Sequence, residues 1–157
     1  MNVEPGSALP APSEDHLRWL EKVYRITLPE GFRDWLSAAN GAVPRERIFM
    51  QGNRERLIER FLPILDDPGG DEIQGQYDIA AVATQLDTRL SDGGGRVGLV
   101  LVPFAALFAG DFVCLDYRAG GPQPSVGVWD HELSDDFAPH VETVAPSFAE
   151  FLRQLRP

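Results

Sequence analysis

The residue pattern predicts an α+β fold with a mostly antiparallel sheet. Three observations carry that reading. Two short amphipathic stretches open the chain, a centre rich in β-branched and aromatic runs is broken by turn formers, and a last helical stripe closes it. The runs that organise the rest are 110–118 (GDFVCLDYR) and 125–132 (SVGVWDHE). Between them, 119–124 (AGGPQP) cannot continue a helix or a central strand, so the pair reads as a β-hairpin in the middle of the sheet.

Taken in order, residues 1–12 are rich in Pro, Ala and small polar residues and read as a flexible or loosely docked N-terminal arm, with one domain over 13–157. Ser13 is an N-cap, and Leu17, Leu20, Val23 and Tyr24 give a first helix over 14–24. Pro29 can open a second helix whose inner face is Phe32, Trp35, Leu36 and Ala39. Asn40 and Gly41 stop it, because both tolerate the left-handed conformation. Residues 47–51 and 57–62 read as strands around a turn at Gly52 and Asn53, with a helix over 56–62 as the alternative for the second. Residues 66–72 form a polar loop, and 77–90 carry the period of a third helix ended by 91–95. The apolar run 97–102 reads as a central strand that Pro103 ends, which leaves 104–108 as an apolar segment at a loop position. Residues 140–145 read as an edge strand. Pro146 or Ser147 then opens a closing helix with Phe148, Phe151, Leu152 and Leu155 inside.

Length and charge bound the function. A chain of 157 residues suits one domain with a sizeable core. A net charge of -10 argues against direct nucleic-acid binding, which needs a basic surface, and against an anionic membrane; it favours a basic protein partner. No apolar run approaches the roughly 20 residues that span a bilayer, and the start lacks the features of a signal peptide, so the expected location is cytoplasmic. Cys114 is the single cysteine, which excludes an internal disulfide and a Cys-based zinc site; mid-strand, it reads as a core residue.

Several groups invite a chemical reading. Asp130, His131 and Glu132 end the second hairpin strand, where Asp111 at the start of the first can join them. Asp116 cannot share an ion with Asp111, since five strand residues put them about 16 Å apart on opposite faces. One histidine among carboxylates is a poor zinc set, and neither a nucleophile elbow nor a phosphate loop is present, so neither metal, cofactor nor catalysis is expected. The acidic residues Asp66, Asp67, Asp71 and Glu72 in one loop, and Asp130, Glu132, Asp135 and Asp136 in another, read as solvated charge. The sharper reading is that a subset mimics phosphate and enters a basic cleft. Phe104 and Phe108 read either as apolar anchors for that contact or as core.

The chain resembles the SMI1/KNR4 family of the SUKH superfamily from about Ser13 to Leu155. The matching residues are Leu28 and Pro29 before the second helix, Phe32 and Leu36 within it, and Asn40 and Gly41 after it. Gly110 and Asp111 then lead into Cys114, Leu115, Asp116 and Tyr117, followed by Val128, Trp129, Asp130, His131 and Glu132. The end, 145–152 with Phe148 and Phe151, matches the family's closing helix. The resemblance implies a sheet of about four to six strands with helices on one face, and a non-catalytic protein-binding domain. Bacterial members bind and neutralise a cognate polymorphic toxin, often a nuclease, while fungal members regulate cell-wall signalling. An immunity protein with a basic toxin as partner is therefore the leading expectation; a regulatory module for an endogenous protein or peptide is the alternative. The family tends to have a polar turn before Gly110, whereas 104–109 here is apolar, which makes that segment a candidate contact surface.

Overall fold

The computed structural model describes residues 2–93 and 100–157. Helix α1 runs over Glu14–Tyr24, and Ser13 caps it by accepting from the His16 amide at 3.2 Å. Helix α2 follows at Glu30–Ala39, with Pro29 as its N-cap residue. The stop differs in detail from expectation. Gly41 takes the left-handed conformation (φ +64°), but Asn40 does not, because its side chain has another task. It is fully buried, donates from Nδ2 to the carbonyls of Pro10 (2.8 Å) and Ile64 (2.9 Å), and accepts the Ile64 amide at Oδ1 (2.9 Å).

Six antiparallel strands follow as a meander in which every sequence neighbour is a spatial neighbour: β1 Ile48–Gln51, β2 Arg54–Phe61, β3 Leu101–Leu107, β4 Phe112–Asp116, β5 Ser125–Trp129 and β6 Val141–Ala145. Residues 54–61 are thus a strand, not the helix that 56–62 left open. Helix α3 occupies Ile79–Leu86 between β2 and β3, with short 3-10 turns on either side in place of one continuous helix over 77–90. Helix α4, Phe148–Gln154, is capped by Ser147 accepting from the Glu150 amide at 3.2 Å. The described helices include none long and apolar enough to cross a membrane.

Two expectations around β3 are corrected. Pro103 does not end the strand; it lies within it opposite Cys114, where a bulge between Pro103 and Ala105 accommodates the missing N–H. Residues 104–107 are therefore strand rather than loop, and Phe104 is fully buried. Its ring meets those of Phe32, Phe61, Phe148 and Phe151, so it joins α2, α4 and the sheet in one aromatic core. The first residues of the expected strand, 97–99, and Gly94 and Gly95 lie outside the described residues.

The main core lies between the sheet and α1, α2 and α4, which supply Leu17, Leu20, Phe32, Leu36 and Phe151. A second, smaller cluster forms on the other face, where Ala83 and Leu90 meet Leu101, Cys114 and Trp129. Helix α3 and the turn after it are what cover that face. Gly127 in β5 has a packing reason: a Cβ there would stand 2.4 Å from Val141 Cγ1 on the neighbouring strand.

The sheet's edges are managed by the chain itself. Arg156, just past α4, exchanges backbone bonds with Ile48 on the outer side of β1 (2.9 and 3.0 Å). The Gln51 amide donates to Glu142 of β6 at 2.8 Å, so the two edge strands approach one another at that end. The N-terminal stretch runs beside the connector between α2 and β1 through bonds from Glu4 to Val43 (2.9 Å) and Leu9 to Asn40 (2.8 Å).

Candidate functional site

Alternation along β2 places Arg56 on the same face as Ile58, hence toward the core, where a charge needs a partner. Asp111 supplies it. The Arg56 Nη2 donates to Asp111 Oδ2 at 2.6 Å, with the two side chains only 6% and 10% exposed. The antiparallel pairing of β4 with β5 sets Phe112 opposite Trp129 and so returns the residues just after β5, His131 among them, to the neighbourhood of Asp111. Asp111 Oδ1 accepts both the His131 amide (2.9 Å) and its Nδ1 (2.7 Å), which places the imidazole proton on Nδ1 and turns Nε2 outward. Gly110 leads into Asp111 with φ +92°, a backbone conformation that favours glycine, and a Cβ there would stand 3.6 Å from His131 Nδ1. Burial pushes the Asp111 carboxyl up, but the His131 amide and imidazole with the Arg56 guanidinium outweigh it and hold the group below the usual Asp value.

The network continues in both directions. Arg56 Nη1 donates to Gln51 Oε1 (2.5 Å), and Gln51 reaches Glu142, so five polar side chains link β1, β2, β6 and both ends of the hairpin. On the other side, Asp130 Oδ1 accepts the amides of Glu132 and Leu133, both at 2.9 Å. Arg89 stacks 5.0 Å over the Trp129 ring and donates to the carbonyls of His131 and Ser134. Trp129 is fully buried and donates from Nε1 to the Arg89 carbonyl at 3.0 Å. The turn after β5 is thus held from below by a cation and from within by a carboxylate.

The structure brings together Asp111, Asp130 and His131, whose ligand-type atoms lie within 4.8 Å of one another. Glu132 stands beside them, with Oε1 4.0 Å from His131 Nε2 and its side chain in solvent. A cation there would face the Arg56 guanidinium and compete for Asp111 oxygens already taken by Arg56 and His131, so the donor set fits a structural clamp better than a metal site. Phe108, on the turn after β3, is 70% exposed, whereas Phe104 offers no surface. Asp66, Asp67, Asp71 and Glu72 lie away from this group, because β2 runs from Arg56 toward the opposite end of the sheet before that loop begins. Asp66 reaches back to accept the Ser13 amide before α1 (2.9 Å), while two bond locally: Asp67 accepts the amide of Gly70 (3.2 Å), and Asp71 those of Ile73 (3.0 Å) and Gln74 (2.7 Å). Asp116 forms a two-pronged pair with Arg118 (Nε to Oδ1 2.9 Å, Nη2 to Oδ2 2.8 Å) at the far end of the hairpin. Burial pushes the Cys114 thiol far up, which leaves it no nucleophilic role.

The profile of the family described as SMI1-KNR4 cell-wall (SUKH_6) matches residues 14–152. The chain belongs to the SMI1-KNR4 family. No curated protein and no solved structure gives a significant match. SMI1-KNR4 membership carries protein–protein interaction as the general mode of action, with immunity proteins among the members. The motif residues have clear structural duties in this member. Leu28 and Phe148 are core, Asn40 ties the arm to the irregular segment that follows β2, and Trp129 anchors Arg89. Sequence reasoning missed Arg56, Gln51 and Arg89. The period-2 pattern of β2 held the signal for Arg56, since it puts a cation two residues before buried Ile58; Arg89 carried none.

Proposed function

We propose that this chain is a non-catalytic cytoplasmic immunity protein of bacterial type, which binds a cognate toxin with a basic surface and blocks it stoichiometrically. The observation that carries the reading is the stiff acidic turn after β5 in a member of this family. Asp130, Glu132, Asp135 and Asp136 are presented within seven residues on a turn that Arg89, Asp130 and Thr88 pin by hydrogen bonds. A pre-organised anionic surface loses little entropy on binding and accelerates encounter with a cationic cleft, such as that of a nuclease. Asp66, Asp67, Asp71 and Glu72 form a second acidic surface at the other end of the sheet, and His131 sits between Asp111 and Glu132 as part of the scaffold beneath the first.

Co-expression with the product of the adjacent reading frame, followed by affinity capture and a growth assay, tests this. The expected outcome is a stable complex that restores growth and dissociates as salt rises. Charge reversal at Glu132, Asp135 and Asp136 should abolish capture without unfolding the chain. A neighbouring product that is neither toxic nor bound defeats the proposal. Capture of a harmless endogenous protein would place the chain with the regulatory modules of the family.

A further inference from the structure

The acidic turn after β5 leads into an aromatic side chain from which the fold itself gains little. The Asp135 amide donates to the Ala138 carbonyl (3.1 Å), the Ala138 amide donates back to the Asp135 carbonyl (3.0 Å), and the Phe137 amide donates to the Thr88 carbonyl (2.9 Å). These bonds hold Phe137 at φ +57°, a conformation that costs a bulky L residue energy, and leave it 56% exposed. A glycine would make the same turn at lower cost. The Phe137 ring instead forms one wall of an open cavity of about 440 Å³, also lined by Tyr24 at the end of α1 and by Asp87 just past α3. Asp87 likewise holds a positive φ (+42°).

We propose that this cavity receives the guanidinium of an arginine side chain on the basic partner, an inference that deepens the immunity reading and rests on it. The lining selects a cation. Its hydroxyls are committed elsewhere: Thr84 donates to the Ala80 carbonyl (2.8 Å), Thr88 donates to Asp136 Oδ1 (2.7 Å), and Ser91 accepts the Gly93 amide (3.3 Å). Among the described residues, the Asp87 carboxylate and the Tyr24 phenol make no hydrogen bond or ion pair, and no basic side chain lines the cavity. An anion would meet Asp87 and also Asp135 and Asp136, the two residues before Phe137. An uncharged apolar group would leave the Asp87 carboxylate desolvated without a partner. A guanidinium suits both parts of the lining, since its plane stacks on an aromatic face while its N–H groups donate to carboxylate and phenol oxygens. The acidic turn thus supplies the steering charge and the cavity beside it the anchor.

Titration of the full chain with N-acetyl-arginine amide, followed by two-dimensional NMR, tests the cavity directly. The Tyr24 and Phe137 ring signals and the Asp87 amide should shift saturably, beyond what sodium chloride at equal ionic strength produces. N-acetyl-norleucine amide, which has a stem but no charge, should leave them in place. Asp87→Asn keeps the side-chain shape and tolerates the positive φ, and Phe137→Gly relieves it, so both variants should fold with a Tm no lower than wild type. Each should weaken the arginine probe about fivefold and capture of the cognate protein about tenfold. The absence of a saturable shift overturns the proposal, as do equal shifts from the norleucine probe or variants that bind as wild type does. A probe that binds while both variants capture the cognate protein undiminished assigns the cavity to a free small cation and overturns it too. A wild-type chain that captures nothing defeats the immunity reading, while the titration separately decides whether the cavity takes a guanidinium.

Discussion

Removing the Asp111 carboxylate should be among the most damaging single changes at the polar end of the sheet. In Asp111→Ala the Arg56 guanidinium, 6% exposed, keeps its charge but loses its 2.6 Å partner, and the His131 amide and Nδ1 lose their acceptor. Breaking a buried pair from one side costs about 3–5 kcal/mol, because the remaining charge stays desolvated. For a domain of this size that corresponds to a fall in Tm of roughly 6–20 °C. Replacing both partners, as Arg56→Met with Asp111→Leu, removes the orphaned charge and should recover most of the loss. The assay is urea unfolding of the wild type, both single variants and the double variant as a cycle. The reasoning fails if Asp111→Ala costs less than about 1 kcal/mol, or if the double variant loses as much as the two singles added together. The pH dependence has a defined sign. The folded-state pKa of Asp111 is lowered, so its contribution is complete above the unfolded value near 3.9 and disappears as pH falls through the lower folded value. The wild type should therefore lose stability more steeply than Asp111→Asn below about pH 4.

Other changes test other parts of the fold. Asn40→Ala leaves the buried Ile64 amide and carbonyl without their side-chain partners and should cost about 3 kcal/mol in urea unfolding, with an unchanged m-value. Gly127→Ala places a methyl 2.4 Å from Val141 Cγ1 and should cost about 1–3 kcal/mol; adding Val141→Ala should return part of it. The Cys114 thiol, fully buried and held protonated by burial, should resist alkylation in the native protein and react only as fast as the chain unfolds. Labelling of the folded chain at the rate of a free thiol would contradict the β4 packing.

Local pattern alone placed much of this protein. The first helix has the bounds that Ser13 and the spacing of Leu17, Leu20 and Tyr24 predict, and the β1–β2 turn falls at Gly52 and Asn53. The hairpin was legible because turn formers at 119–124 separate two β-rich runs, and antiparallel pairing then brings Asp111 to His131. These are short-range facts, set by capping, period and turn chemistry within a few residues.

What only the tertiary structure decided depends on neighbours far along the chain. Pro103 sits in a central strand because β3 bulges just after it against β4, and Phe104 is core because α2 and α4 close over it. Period-2 alternation can put Arg56 inward, but it cannot say that the acceptor lies 55 residues later, or that Gln51 relays the network to Glu142 across the two sheet edges. The separation of the two acidic loops has the same origin. Composition counts their charge as one property, while the meander sends β2 and β5 out of opposite ends of the sheet. Sequence determines which faces are apolar and where the chain turns; the three-dimensional packing decides which charges are buried together, because desolvation and pairing energies depend on who is adjacent in space.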